Sequence, residues 1–77
     1  MESHIQLKLF ASLQKFMPAS ADNFAIEAGI TVDGLLQQLK VPQDMVKIVF
    51  IDNVHAELTS TLKGGERVGI FPPVGGG

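Results

Sequence analysis

Over residues 4–10 apolar and polar side chains alternate: Ile5, Leu7 and Leu9 fall on one face, His4, Gln6 and Lys8 on the other. A period of two predicts a half-buried strand. Residues 11–17 suit a short helical turn that Pro18 ends, because proline disfavours helical geometry in the residue before it. Alternation returns over residues 23–28, with Phe24 and Ile26 set against Asn23, Ala25 and Glu27, and Gly29 breaks it. This predicts a second strand. The period then changes. Val32, Leu35, Leu36 and Leu39 recur at i, i+3, i+4 and i+7, one apolar face of a helix. Thr31 is a good N-cap, and Asp33 lies in the first turn, where the helix dipole favours negative charge. Gly34 weakens this helix by about 1 kcal/mol relative to alanine. Val41 precedes Pro42, so the helix is expected to end near Lys40. So short a helix does not persist alone and must pack on the strands.

The apolar run Ile48, Val49, Phe50, Ile51 predicts a third strand. Asp52-Asn53 is a turn signal, and residues 54–58 can run back as a short strand. Residues 63–66 (Lys-Gly-Gly-Glu) form a turn, residues 68–71 the last strand, and Pro72-Pro73 stops it. One helix over one face of a mixed sheet is an α+β arrangement. The first two strands are spaced to pair as a hairpin, and the last can return beside the first as a parallel neighbour. That is the element order of a ubiquitin-like β-grasp, expected here as one domain over residues 1–71 with a flexible C-terminal tail over 72–77.

Composition narrows the functions. A chain of 77 residues has room for one modest core and no deep internal cleft. Net charge is −2 and the isoelectric point about 5.5, so nothing points to nucleic acid or an anionic membrane as partner. Cysteine is absent, which excludes disulfides, a cysteine nucleophile, a persulfide on this chain and cysteine-ligated metals. No apolar run approaches membrane-spanning length, and residues 1–4 lack a signal-peptide pattern. A cytosolic location is expected. Charged residues are only 18% and hydrophobic ones 45%, so part of the apolar material must lie on the surface, either for a partner or because small domains always expose some.

Catalytic constellations are missing. Ser12, Ser20 and Ser60 have no local base, and His4 and His55 read as isolated surface histidines. Gly64-Gly65 after Lys63 lacks the spacing of a phosphate loop. The informative segment is the ending Phe71-Pro72-Pro73-Val74-Gly75-Gly76-Gly77. Two prolines favour an extended chain, and the glycines that follow remove every side chain. Pro72 to Gly77 can reach roughly 20 Å when extended at about 3.3 Å per residue. Such a thread can carry a terminal carboxylate down a channel too narrow for a Cβ atom.

That ending resembles the ubiquitin-like sulfur carriers of the MoaD/ThiS type, above all the small subunit of molybdopterin synthase. Phe10-Ala11-Ser12-Leu13, Thr31-Val32 with Leu35, Leu36 and Leu39, and Leu62 through Val68 resemble other stretches of that family. Gln14 replaces a frequent arginine, Gly64-Gly65-Glu66 an acidic turn, and Asp52-Asn53-Val54 fits the family turn only loosely. The resemblance implies a carrier that is not itself an enzyme. An E1-like adenylating enzyme would use ATP to adenylate the Gly77 carboxylate. A sulfur donor would convert it to a thiocarboxylate, and the tail (Val74, Gly75 and Gly76 behind Pro72 and Pro73) would enter a synthase large subunit and surrender sulfur. No permanently bound cofactor and no metal are implied. Sulfur delivery to thiamine, tRNA or an amino-acid pathway, a protein modifier joined through Gly77, and a passive interaction domain are the alternatives.

Partners need a docking surface. The helix covers one sheet face, so either Ile48 and Phe50 or Val49 and Ile51 must face away from it. If Val68 and Ile70 point inward, Phe71 points outward beside the tail, placed as an interface anchor. The alternatives are that it covers a strand edge or folds back on Pro72.

Overall fold

The alternation of the first strand becomes the floor of the core. In the computed structural model, which describes residues 2–73, Ile5, Leu7 and Leu9 are all buried on strand β1 (Glu2–Leu9). The chain continues through a 3₁₀ turn (Ala11–Phe16), a shorter one (Ala21–Asn23), strand β2 (Phe24–Glu27), helix α1 (Val32–Leu39), a 3₁₀ turn (Gln43–Met45), and strands β3 (Ile48–Ile51), β4 (Val54–Ala56) and β5 (Arg67–Phe71). The five strands form one sheet in the order β2-β1-β5-β3-β4. β1 pairs antiparallel with β2 and parallel with β5, Leu7 beside Val68 and Leu9 beside Ile70. β5 in turn pairs antiparallel with β3. This is the expected β-grasp, with the last strand at the centre of the sheet.

Helix α1 supplies the other half of the core. Val32, Leu35 and Leu36 have no exposed surface and pack with Leu13, Leu62, Val68 and Ile70, while Leu39 is partly buried. The Thr31 hydroxyl accepts a hydrogen bond from the Gly34 amide at 3.0 Å, the expected N-cap. The helix ends at Lys40, whose φ of 63° reverses the chain so that the Val41 amide donates to the Leu36 carbonyl. Among the described residues no polar or charged residue is buried. Gly34 has a packing reason: a Cβ there would lie 2.9 Å from Ile30 Cγ1, so the helix gives up propensity for a close approach.

Some boundaries differ from expectation. β1 starts at Glu2, because Glu2 and Ser3 already pair with Glu27 and Ile26, while β2 is trimmed to Phe24–Glu27. β4 stops at Ala56 rather than running to Leu58. The carbonyls of Leu58 and Ser60 instead accept from the Asp33 and Val32 amides, satisfying helix donors that lack a partner within the helix. The turns at 21–23 and 43–45 have no apolar period to announce them. The Lys63–Glu66 turn is as expected. The Glu66 carboxylate accepts from the Lys63 and Gly64 amides. Gly64 has φ 127°, and a Cβ there would meet Ser3 Cβ at 2.8 Å.

Candidate functional site: the tail root and the outer sheet face

Alternation along β5 buries Val68 and Ile70 and sends Arg67, Gly69 and Phe71 to the face away from α1. On β3 the open choice resolves the same way. Val49 is buried and Ile51 packs against the core, so Ile48 and Phe50 face outward. The two-residue Asp52-Asn53 turn, with φ of 52° and 68°, fixes this register and sets Phe50 opposite His55.

Phe71 is half-buried in a small aromatic cluster. Its ring stacks on that of Phe10 with centroids 4.2 Å apart and planes 2° from parallel. The Phe50 ring meets it edge-on at 5.7 Å, and His55 lies edge-on to Phe50 at 6.1 Å. Gly69 makes room for this. It sits between Lys8 and Phe50 in the ladder, and the Phe10 and Phe71 rings lean over it, 3.5 and 3.9 Å from where a Cβ would stand. The rings bound an open groove of about 600 Å³, whose polar lining is Gln6, Lys8, Asp22, Asn53 and Arg67.

The root of the tail is held from both sides. The Phe10 amide donates to the Ile70 carbonyl at 3.1 Å and the Lys47 amide to the Phe71 carbonyl at 2.8 Å. Beyond Phe71 the regular ladder stops; Pro72 is half-buried and Pro73 exposed. The tail positions Val74, Gly75, Gly76 and Gly77 lie outside the described residues. Phe71 therefore points outward as expected, with part of its surface taken by Phe10 and Phe50.

Read from the sequence, Phe10 has a place in the family resemblance but none in the site, and Lys47 has neither. Strand parity could have found Phe10, since it follows Lys8 on the outward side of β1. Lys47 makes its contact through its backbone, which has no signature in the side-chain pattern. His4 and His55 are both exposed. Among the described residues no group of three or more histidine or carboxylate side chains could hold a metal ion, and no helix is long and apolar enough to cross a membrane.

A β-grasp sheet whose central strand leads into a Pro-Pro-Val-Gly-Gly-Gly sequence, with an aromatic cluster at its root, is the frame of a small ubiquitin-like protein. The chain belongs to the ThiS family, whose model matches residues 7–77. The family is one of small ubiquitin-like sulfur carriers, not themselves catalysts. Among solved structures, a protein assigned as molybdopterin converting factor, subunit 1, from Pyrococcus furiosus is 25% identical with a TM-score of 0.65, over 94% of this chain and 99% of that one. Small archaeal modifier protein 1 of Haloferax volcanii is 22% identical with a TM-score of 0.68, over 94% and 99%. A chain from the complex of subunits 1 and 2 of molybdopterin-converting factor from Helicobacter pylori is 24% identical with a TM-score of 0.57, over all of both chains. The latter two establish the shared fold. No match is found among curated proteins.

Proposed function

We propose that this protein carries sulfur as a thiocarboxylate on Gly77 and donates it in the assembly of molybdopterin. The observation that carries the reading is the family match, which runs through the tail to residue 77. Likeness to the Pyrococcus furiosus subunit and the Phe-Pro-Pro ending favour the molybdopterin branch over thiamine, tRNA or amino-acid pathways. A carboxylate is a poor acyl donor. An E1-like enzyme corrects this when a Gly77 oxygen attacks the α-phosphorus of ATP, pyrophosphate leaves, and an acyl-adenylate forms. A donor then supplies sulfur at the hydrosulfide level; its sulfur attacks the Gly77 carbonyl carbon, the C–O bond to AMP breaks with AMP leaving, and loss of the sulfur's proton leaves the thiocarboxylate. With no cysteine on the chain, the C-terminus is the place where transferable sulfur can be held. Residues 72–77 act as the thread that enters the activating enzyme and then a synthase large subunit, in the cytoplasm. The groove and Phe71 serve docking. Nucleotide and catalytic groups belong to the partners.

The deciding experiment is the intact mass of the protein taken from its native cells during active cofactor synthesis. The expected species is heavier than the encoded chain by the exchange of one oxygen for sulfur. A ladder of larger conjugates, with no such species, would instead identify a protein modifier, and an unmodified chain alone would leave a passive domain.

Docking has its own test in Phe71→Arg. The substitution removes one stacked and one edge-on aromatic contact, worth together about 1–3 kcal/mol, so melting should fall modestly with the fold retained. Affinity of the folded fraction for the activating enzyme should fall at least about tenfold, as for a buried interface aromatic. A loss of stability with unchanged affinity would make Phe71 a purely structural residue.

A further inference from the structure

Charge is not spread evenly over this acidic chain. Lys8 and Arg67 line the groove, with Asp22 as the single carboxylate among its lining residues. Lys47, exposed, adjoins the tail root through its amide bond to the Phe71 carbonyl. The rest of the chain holds three basic residues (Lys15, Lys40, Lys63) against seven acidic ones. Asp52, beside Arg67 in the ladder, accepts from the Arg67 amide through Oδ1 at 2.9 Å, keeps its charge, and is not among the residues that line the groove. The groove and tail root are thus a basic island on a molecule of net charge −2. The floor of that island is apolar: Gly69 under the Phe10 and Phe71 rings, closed on one side by Phe50.

Geometry decides what must cover it. β5 is the middle strand of five, so the tail root at Phe71 stands at the middle of one end of the sheet rather than at a corner. Phe71 both precedes residues 72–77 and lines the groove, so a protein that takes in those residues is brought beside the groove. Two cations beside an apolar floor repel a basic surface and leave a neutral one with charges desolvated and unpaired.

We infer that the protein receiving the tail presents an apolar side chain flanked by carboxylates, the side chain entering the groove and the carboxylates meeting Lys8 and Arg67. This rests on the carrier reading above, and it names the chemistry of the partner's surface. The consequence is association steered by charge, although both the carrier and its partner's contact surface are acidic in sum.

The test measures association rate constants with the E1-like enzyme of the same organism across a salt series. The doubly neutralised Lys8→Gln/Arg67→Gln protein is compared with Lys40→Gln/Lys63→Gln, which changes net charge equally but away from the groove. At low salt the first pair should slow association at least about fivefold and flatten its salt dependence, and the second by less than about twofold. The gap between the pairs should close at high salt. Equal effects from the two pairs, no effect from the first, or parent association that speeds up with added salt would overturn the inference. Adenylation of Gly77 at saturating enzyme is read in parallel. If the parent associates in the expected salt-dependent way but is never adenylated, the carrier reading falls while the docking chemistry stands.

Discussion

Removing Gly77, or adding one alanine after it, is expected to reduce ATP–pyrophosphate exchange by the activating enzyme, and thiocarboxylate formation, by at least about a hundredfold. Deletion withdraws the carboxylate by about 3.5 Å at most. Extension pushes it outward and introduces a Cβ where only backbone is expected to pass. In-line attack on phosphorus depends on close placement, and an error of about one ångström can cost that factor. Neither change touches the core, whose buried residues lie between Ile5 and Ile70. Both variants should therefore melt with the parent. Mass spectrometry of the product and a melting curve check the two halves separately. An alanine-extended protein that is adenylated and sulfurated at the parent rate, without first being trimmed, would show that Gly77 is not the reactive end.

The second large effect is on stability. Leu36→Ala should cost about 2–5 kcal/mol. Leu36 has no exposed surface, and it sits on the α1 face that closes over β1 and β5. Truncation leaves a cavity beneath α1, the one α-helix among the described residues. Native domains are held by only about 5–15 kcal/mol in all, so the variant should be near the edge of folding at physiological temperature. Denaturant titration measures the loss. Leu39→Ala, on the same stripe but only partly buried, should cost clearly less. A loss below about half a kcal/mol at Leu36 would contradict its burial.

Much of this fold was legible in the residue pattern because burial imposes a period. Ile5, Leu7 and Leu9, then Val32, Leu35 and Leu36, were marked as inward by spacing alone, and all are buried. Thr31 was marked by the chemistry of its hydroxyl, and Asp52-Asn53 by its tolerance of positive φ. What escaped was set by backbone rather than side chains. The early stop of β4 follows from two carbonyls, those of Leu58 and Ser60, being recruited by α1 amides. The clamp on the tail root runs through the Phe10 and Lys47 amides. At the site, Phe71 was legible as an outward residue, but its pairing with Phe10 was not. That contact needs the parallel alignment of β1 and β5, with Leu9 beside Ile70, which strand parity does not specify. The tail motif was legible through its composition: prolines and glycines state their physical properties wherever they stand.

The central place of β5 bears on how the protein is made. Leu7 and Val68 are sheet neighbours separated by about sixty residues of chain, a closure that costs roughly 3–4 kcal/mol of chain entropy. During translation, β1, β2 and α1 emerge first, yet the sheet has a gap in its middle until β5 leaves the ribosome. Until then β1 and β3 have no common partner, and Leu36 and Leu62 have no Val68 or Ile70 beneath them. A prematurely terminated product that stops before residue 67 thus lacks both the core strand and the groove. Completion of synthesis, completion of the fold and assembly of the groove therefore coincide in one strand.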